Sequence, residues 1–160
     1  MREQPNERIA TDAIKAWKLT AQLIAIIPLL ITIGAFVAAY FFDFLSYWIG
    51  IVLAVLTVLE WIISILIIPK LRWRRWRYQI YDQEIYIQHG ILIVTRTVVP
   101  MIRVQHVDTQ QGPILKKYGL STLQISTAAT THEIPALIED EAADLRDQIS
   151  ELARVEQDDV

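Results

Sequence analysis

Two long apolar runs occupy most of the first half of the chain. Residues 19–42 carry no charged side chain, and residues 47–68 carry one, Glu60. A helix needs about 20 apolar residues to span a bilayer, so each run is long enough to cross. Residues 43–46 separate the runs, and Pro69 ends the second. The pattern predicts a transmembrane helical hairpin over residues 19–68, preceded by a polar cytosolic segment of residues 1–18.

Basic residues flank the hairpin on one side, and such residues are retained on the cytoplasmic face. Lys15 and Lys18 precede the first run, the connecting loop carries Asp43 and no basic residue, and five basic residues follow the second run: Lys70, Arg72, Arg74, Arg75 and Arg77. We therefore expect a multi-pass protein of the cell membrane with both termini in the cytoplasm. Aromatic residues are expected at the two membrane interfaces: Tyr40, Phe41, Phe42, Tyr47 and Trp48 outside, Trp73 and Trp76 inside.

After Pro69 the pattern changes to short stretches in which apolar and polar residues alternate. Alternation of this kind predicts β-strands, here over residues 76–80, 85–89, 91–99, 104–109, 120–127 and 133–137. Residues 114–118 fit a short helical turn, and Asp140 can cap a last helix whose apolar positions recur at spacings of three and four. The second half therefore predicts an α+β domain over residues 69–155, an antiparallel sheet or small barrel closed by a C-terminal helix, before an acidic tail of residues 156–160.

The composition is typical of a membrane protein and excludes several kinds of chemistry. The chain has 160 residues, 53% of them hydrophobic, with mean hydropathy +0.32 and net charge -3. It has no cysteine, which excludes disulfides and thiolate chemistry. The three histidines are far apart and no H-E-x-x-H, G-x-S-x-G or P-loop pattern occurs, so we predict no enzyme activity, no cofactor and no metal. Basic residues cluster beside the membrane run, which argues against nucleic-acid binding.

Several motifs together resemble the YdbS-like bacterial membrane proteins that carry a pleckstrin-homology-like (PH-like) domain. The matching stretches, from the end of the hairpin onwards, are residues 72–78, 84–92, 97–100, 103–107, 111–113, 117–120, 134–135 and 145–146. The resemblance implies a seven-stranded PH-like barrel with a C-terminal helix. It also implies a frequent partner, a larger membrane relative that carries several copies of the domain. It implies no catalytic residues.

The basic and aromatic cluster after the second span is the first candidate site. It comprises Lys70, Arg72, Trp73, Arg74, Arg75 and Arg77, which can attract anionic lipid at about 1 kcal/mol per charge near the surface. The alternative is that these charges fix the topology while Trp76 begins the first strand of the domain. Phosphoinositide binding in the first hairpin turn is not expected, because Asp82 and Glu84 make that turn acidic.

Polar residues inside the spans form the second candidate site: Glu60, Gln22, Thr32, Thr57 and Ser64. An ionised acid at that depth is costly, so an intramembrane carboxyl is a functional hypothesis by default. Pro28 frees the carbonyl of Ile24, and a protonated Glu60 could donate to it. The two interpretations are a structural acid that fastens helices and a proton or ion site.

A stripe of small residues runs along each span. The first comprises Ala21, Ala25, Pro28, Thr32, Ala35 and Ala39, and the second Gly50, Ala54, Thr57 and Ser64. Small side chains allow close helix packing. The short loop favours contact between the two stripes within the hairpin, and contact with a partner protein is the alternative.

The sequence thus predicts a non-enzymatic, membrane-anchored PH-like interaction module. We expect a bilayer, with anionic lipid, and a larger membrane relative as partners, with Arg103, Gln105 and His106 as the partner surface. A role in envelope homeostasis or tolerance of membrane-active compounds would fit. The alternative is an accessory subunit of a transporter or channel that uses Glu60.

Overall fold

A computed structural model describes residues 4–41 and 46–158 of the chain, which divide into two compact units. The helical hairpin contains residues 17–70. The α+β unit contains residues 4–16 together with residues 71–158. The predicted outer loop with Asp43, and Phe42 of the predicted aromatic belt, lie outside the described residues.

Two helical stretches of 29 residues, Ala13–Phe41 and Tyr47–Arg75, are long and apolar enough to cross a membrane. The first consists of α1 (Ala13–Ile24) and α2 (Ile26–Phe41), separated by a turn residue at Ala25. Pro28 explains that break, because its ring lacks an N–H and crowds the carbonyl four residues earlier. The second consists of α3 (Tyr47–Trp61), a π-helical turn (Ile62–Ile67) and α4 (Ile68–Arg75).

The small-residue stripes meet inside the hairpin, as predicted. Its buried positions include Ala25, Thr32, Ala39, Gly50 and Thr57, all members of the stripes. The hydroxyls of Thr32 and Thr57 lie 2.9 Å apart and share a hydrogen bond between the two helices. A Cβ at Gly50 would lie 2.8 Å from Cε1 of Phe36, so a larger residue there would force the ring to move.

The α+β unit is built from two three-stranded antiparallel sheets that follow each other along the chain. The first contains β1 (Arg77–Ile80), β2 (Glu84–His89) and β3 (Thr95–Pro100) in that order. A 3-10 turn (Met101–Arg103) leads to the second, which contains β4 (Val104–Gln110), β5 (Leu120–Thr127) and β6 (Thr131–Ile138). The short helix α5 (Pro113–Lys117) joins β4 to β5, and α6 (Glu139–Asp158) ends the unit.

The expectation of a seven-stranded closed barrel is wrong. The described residues form six named strands in two separate sheets, so the fold class is α+β with a helical hairpin but without closure. Two local features account for the difference. The predicted strand over residues 91–99 begins at Thr95, because residues 91–94 form a turn. The chain then passes through the turn Met101–Arg103, and β3 and β4 become the edges of different sheets.

The N-terminal segment, residues 4–11, connects the outer edges of the two sheets. Glu7 and Tyr78 of β1 exchange backbone hydrogen bonds of 3.2 and 3.1 Å, and the N–H of Ala10 donates to the carbonyl of Ala136 in β6 at 3.1 Å. Ala136 has φ 53° at an irregularity in the pairing of β5 with β6. The sequence predicts a separate cytosolic segment of residues 1–18, whereas residues 4–16 pack as part of this unit.

Helix α6 covers the sheets with the face that the sequence pattern indicated. Ala142 and Ile149 are fully buried, and Leu145 and Leu152 are half-buried. The hydroxyl of the buried Tyr78 donates to Oε1 of Glu141 at 2.7 Å, which ties β1 to the start of α6. Burial and this hydrogen bond raise the pKa of Tyr78, so the phenol keeps its proton and remains a donor.

Ile9 gives a test of the N-terminal segment, because its side chain is only 2% exposed. Ile9→Ala should lower the free energy of unfolding of the α+β unit by about 2–5 kcal/mol, the usual cost of a truncated core side chain. Urea unfolding of the full chain in detergent, followed by tryptophan fluorescence, measures this change. The control is Ile102→Ala on an exposed residue, which should change stability by less than about 0.5 kcal/mol. Equal effects would contradict the packing of this segment.

Candidate membrane-surface site

Three arginines line one cavity at the end of the second candidate span. Arg74, Arg75 and Arg77 surround a space of about 360 Å³ together with Gln4, Leu71 and Gln88. We call this space the arginine pocket. Arg74 and Arg75 lie in the last turn of α4, and Arg77 is the first residue of β1. The junction between this helix and this strand therefore brings the three charges together.

Gln88 fixes the pocket from the β2 side. Its side chain is only 3% exposed, its amide accepts from Nε of Arg96 at 3.0 Å, and it donates a long 3.5 Å bond to the carbonyl of Arg75. Beside it, Trp76 stacks on His89 with 5.2 Å between ring centroids. A buried amide is costly unless it is hydrogen-bonded, so these bonds hold β2 against the end of α4. The sequence does not predict the role of Gln88, since nothing in an alternating strand marks a buried amide.

The guanidinium groups of the pocket are available to an anion. Arg77 donates to the backbone carbonyl of Pro5 at 3.3 Å. Within residues 4–41 and 46–158, neither Arg74 nor Arg75 pairs with a carboxylate, and both are exposed. A planar guanidinium can donate two parallel hydrogen bonds to a phosphate. Three such groups around one cavity have the chemistry to bind a phosphate-bearing ligand.

The other members of the predicted basic cluster have separate surroundings. Trp73 donates to the carbonyl of Ile9 at 3.1 Å, and Arg8 lies over its ring at 5.3 Å. Trp76 is 8% exposed, which favours the interpretation in which it packs in the domain rather than among lipid headgroups. Arg72 is exposed, and Lys70 belongs to the helical hairpin.

The turn between β1 and β2 has the opposite charge. A cavity of about 530 Å³ is lined there by residues 80–84, which include Asp82 and Glu84. Two acidic residues in this turn would repel a phosphorylated headgroup. The turn therefore does not offer the phosphate contacts of a phosphoinositide site.

Inside the hairpin, the hydrogen bonds of Glu60 differ from those that the sequence predicts. Its Oε1 accepts from Ser64 Oγ at 2.7 Å, one turn along the same helix, and Oε2 is buried with no hydrogen-bond partner among the described residues. The expected bond to the carbonyl of Ile24 is wrong. The indole of Trp61 instead reaches across and donates to the carbonyl of Ala25 at 3.4 Å, next to the break caused by Pro28. Gln22 is exposed, and Thr32 pairs with Thr57.

The predicted partner surface lies at the start of β4, an edge strand of its sheet. Arg103, Gln105 and His106 are all exposed. The pairing with β5 shifts between Val104 and His106, which leaves Gln105 out of register. A bulge of this kind lets two successive side chains face outward, whereas a regular strand alternates. Gln105 also borders a cavity of about 180 Å³ beside Ser150 and Arg154 of α6.

No metal site emerges from the part of the chain that the structure describes, since no three acidic or histidine side chains group there suitably. The comparisons with known proteins identify the family of the chain. The bacterial PH domain family matches residues 10–153. The chain belongs to this family. The match begins inside the N-terminal segment, in agreement with the packing of that segment in the α+β unit.

Two relatives within this family come from Bacillus subtilis (strain 168). The UPF0699 transmembrane protein YdbS is 54% identical over 160 residues, the full length of both chains. The UPF0699 transmembrane protein YdbT is 31% identical over 78 residues, which are 49% of this chain but 15% of that protein. No solved structure shows a significant match. This bacterial PH domain protein is thus similar over its full length to one transmembrane protein, and over about half its length to part of a much larger one.

The arginine pocket predicts a preference for anionic lipid. Full-length protein is prepared in detergent micelles that contain equal amounts of phosphatidylglycerol and phosphatidylcholine. When the protein is released from the micelles in native mass spectrometry, it should retain more phosphatidylglycerol than phosphatidylcholine. Replacing Arg74 and Arg75 together by Gln should lower this preference about thirtyfold, because each basic residue near a membrane contributes about 1 kcal/mol. The preference should also fall at about 1 M salt, where charges are screened within about 3 Å.

The matched control for the pocket is Arg146→Gln, which removes one exposed charge on α6 that already pairs with Asp147 at 2.8 Å. This variant should keep the wild-type preference. Equal retention of both lipids by the wild-type protein would contradict an anion site, and so would an equal loss in the control.

Proposed function

We propose that the chain is a non-enzymatic, membrane-anchored interaction module that assembles with a larger membrane relative. In this proposal the helical hairpin tethers the α+β unit to the cytoplasmic face of the cell membrane. The observation that carries it is the similarity of half the chain to part of a much larger transmembrane protein. Related domains on a short and a long membrane chain are well suited to pack against one another.

The charge distribution supports the orientation in this proposal. The described helix Tyr47–Arg75 ends in a basic turn that contains Arg72, Arg74 and Arg75. Basic residues of this kind stay on the cytoplasmic side of a span. Because α1 and α4 both connect to the α+β unit, residues 4–16 and 71–158 belong on the same side of the membrane.

The chemistry of the exposed surface supports binding rather than catalysis. The exposed residues Arg103, Gln105 and His106 offer donors and acceptors on an edge strand, where a partner can add contacts without disturbing the core. Membership of the bacterial PH domain family also favours a module without enzyme activity. For such a complex we propose a role in envelope homeostasis, including tolerance of membrane-active compounds.

Co-purification tests the proposed complex. The tagged chain, co-expressed with the larger relative from its own genome and extracted in mild detergent, should recover that relative in a fixed ratio. Replacing Arg103, Gln105 and His106 together by Ala should lower recovery about tenfold, because fewer than about a third of interface residues contribute more than about 1 kcal/mol and a tenfold change corresponds to about 1.4 kcal/mol. The control replaces three exposed acids of α6, Asp144, Asp147 and Glu151, by Ala. Recovery of the wild-type chain alone would refute the complex.

A second candidate function is that of an accessory subunit in a transporter or channel, with Glu60 as an intramembrane proton or ion site. The observation that favours it is the buried Oε2 of Glu60, which lacks a hydrogen-bond partner among the described residues. Oε1 already accepts from Ser64, and the first helix supplies few other polar groups nearby. A structural acid remains our first choice because a proton pathway needs further polar lining.

Two substitutions at Glu60 separate these functions. Glu60→Gln keeps the shape and the acceptor for Ser64, so a structural acid predicts an intact complex with unchanged activity. Glu60→Leu removes the acceptor for Ser64, which lies on the same helix. Any loss of assembly should therefore be smaller than about 0.6 kcal/mol, the average for a hydrogen bond between membrane helices. Co-purification and activity are measured for both variants. Loss of activity in an intact Glu60→Gln complex would favour the transport role, because Gln cannot exchange a proton.

A further inference from the structure

The turn between β2 and β3 presents two apolar side chains to solvent. Leu92 is 96% exposed and Ile93 is 82% exposed. No other large hydrophobic side chain of the described residues is as exposed, including those of the candidate spans, where Tyr40 reaches 74%. The turn carries no charged residue from Gly90 to Thr95. Full exposure of two aliphatic side chains in water is unfavourable, so this turn requires a covering surface.

The turn is held in a defined shape. Gly90 has φ +115°, and a Cβ there would lie 1.9 Å from the carbonyl oxygen of Ile93, so glycine is needed for the chain to fold back. The residue before it, His89, stacks on Trp76. The apolar tip is therefore a fixed projection of the sheet.

The tip lies at the end of the sheet that carries the arginine pocket. Gln88, which lines the pocket and bonds to Arg75 and Arg96, lies two residues before Gly90 in β2. Arg75 is the last residue of the candidate span Tyr47–Arg75. A basic pocket that suits lipid phosphates and an apolar tip that suits acyl chains thus lie at the same end of β2, in the unit that follows the second candidate span along the chain.

We propose that the turn over residues 90–94 inserts Leu92 and Ile93 into the lipid of the membrane that this chain crosses. A bilayer fits these observations better than a protein partner does. Lipid can surround a convex apolar tip without a matching cavity, and its phosphates complement the charge of the neighbouring arginines. The inference rests on the membrane location of the chain but not on the proposed partner.

Site-specific fluorescence tests the insertion on the full chain. The sequence has no cysteine, so Leu92→Cys and Ile93→Cys each give one attachment point for an environment-sensitive dye. The labelled protein is placed in lipid nanodiscs, one chain per disc and without any partner. We expect lipid-borne acyl-chain quenchers to reduce the emission of both labels, and aqueous iodide to have almost no effect, at low salt and at about 1 M salt.

The matched control is Asp82→Cys, which places the same dye in the turn at the opposite end of β2. This label should be quenched by iodide and not by lipid. Labels at positions 92 and 93 that respond to iodide as strongly as this control would overturn the insertion. Labels shielded from both quenchers would also overturn it, in favour of a protein surface. Because the discs contain no partner, failure of the proposed complex would leave these outcomes unchanged.

Discussion

The α+β unit depends on the pairing of its N-terminal segment with the outer edges of both sheets. A three-stranded sheet leaves two rows of unpaired backbone groups, and here no barrel closes to remove them. Glu7 pairs with β1 and Ala10 with β6, so four residues of chain link sheets that otherwise share only a turn and a covering helix. Tyr78 adds to this link, because its backbone bonds to Glu7 and its hydroxyl bonds to α6.

The same segment leads directly into α1, and α4 leads directly into β1. Both ends of the hairpin therefore continue into neighbouring parts of one unit. Within the hairpin, most of the described polar side chains bond to one another or to the backbone, whereas Oε2 of Glu60 has no partner among the described residues. Thr32 pairs with Thr57, Ser64 donates to Glu60, and Trp61 donates to the carbonyl of Ala25. Such bonds are important in a bilayer because its hydrocarbon core contains no water that could form hydrogen bonds with unsatisfied polar groups.

Charge and apolar exposure are combined at one end of the first sheet. The buried amide of Gln88 holds β2 to the end of α4 and lines the arginine pocket, and the apolar tip follows it at the end of β2. The acidic turn around Asp82 lies at the other end of the same strand. The β-hairpin of β1 and β2 is therefore acidic at its turn and basic at the opposite end, where the apolar tip also lies.

The sequence by itself determined the elements of this protein. Two apolar runs specified the hairpin, small residues at helical spacing specified its packing face, and alternation specified the strands, because these signals depend on neighbours along the chain. The basic cluster was also evident from the order of residues along the chain. Tertiary structure decided what depends on distant residues: Glu7 and Ala10 link the outer edges of the two sheets by pairing with strands about seventy and over a hundred positions away. It also decided that Gln88 is buried, that Glu60 bonds to Ser64 rather than Ile24, and that Leu92 and Ile93 lie in a turn. Each of these outcomes depends on which residues are close in space, and the local sequence does not specify those neighbours.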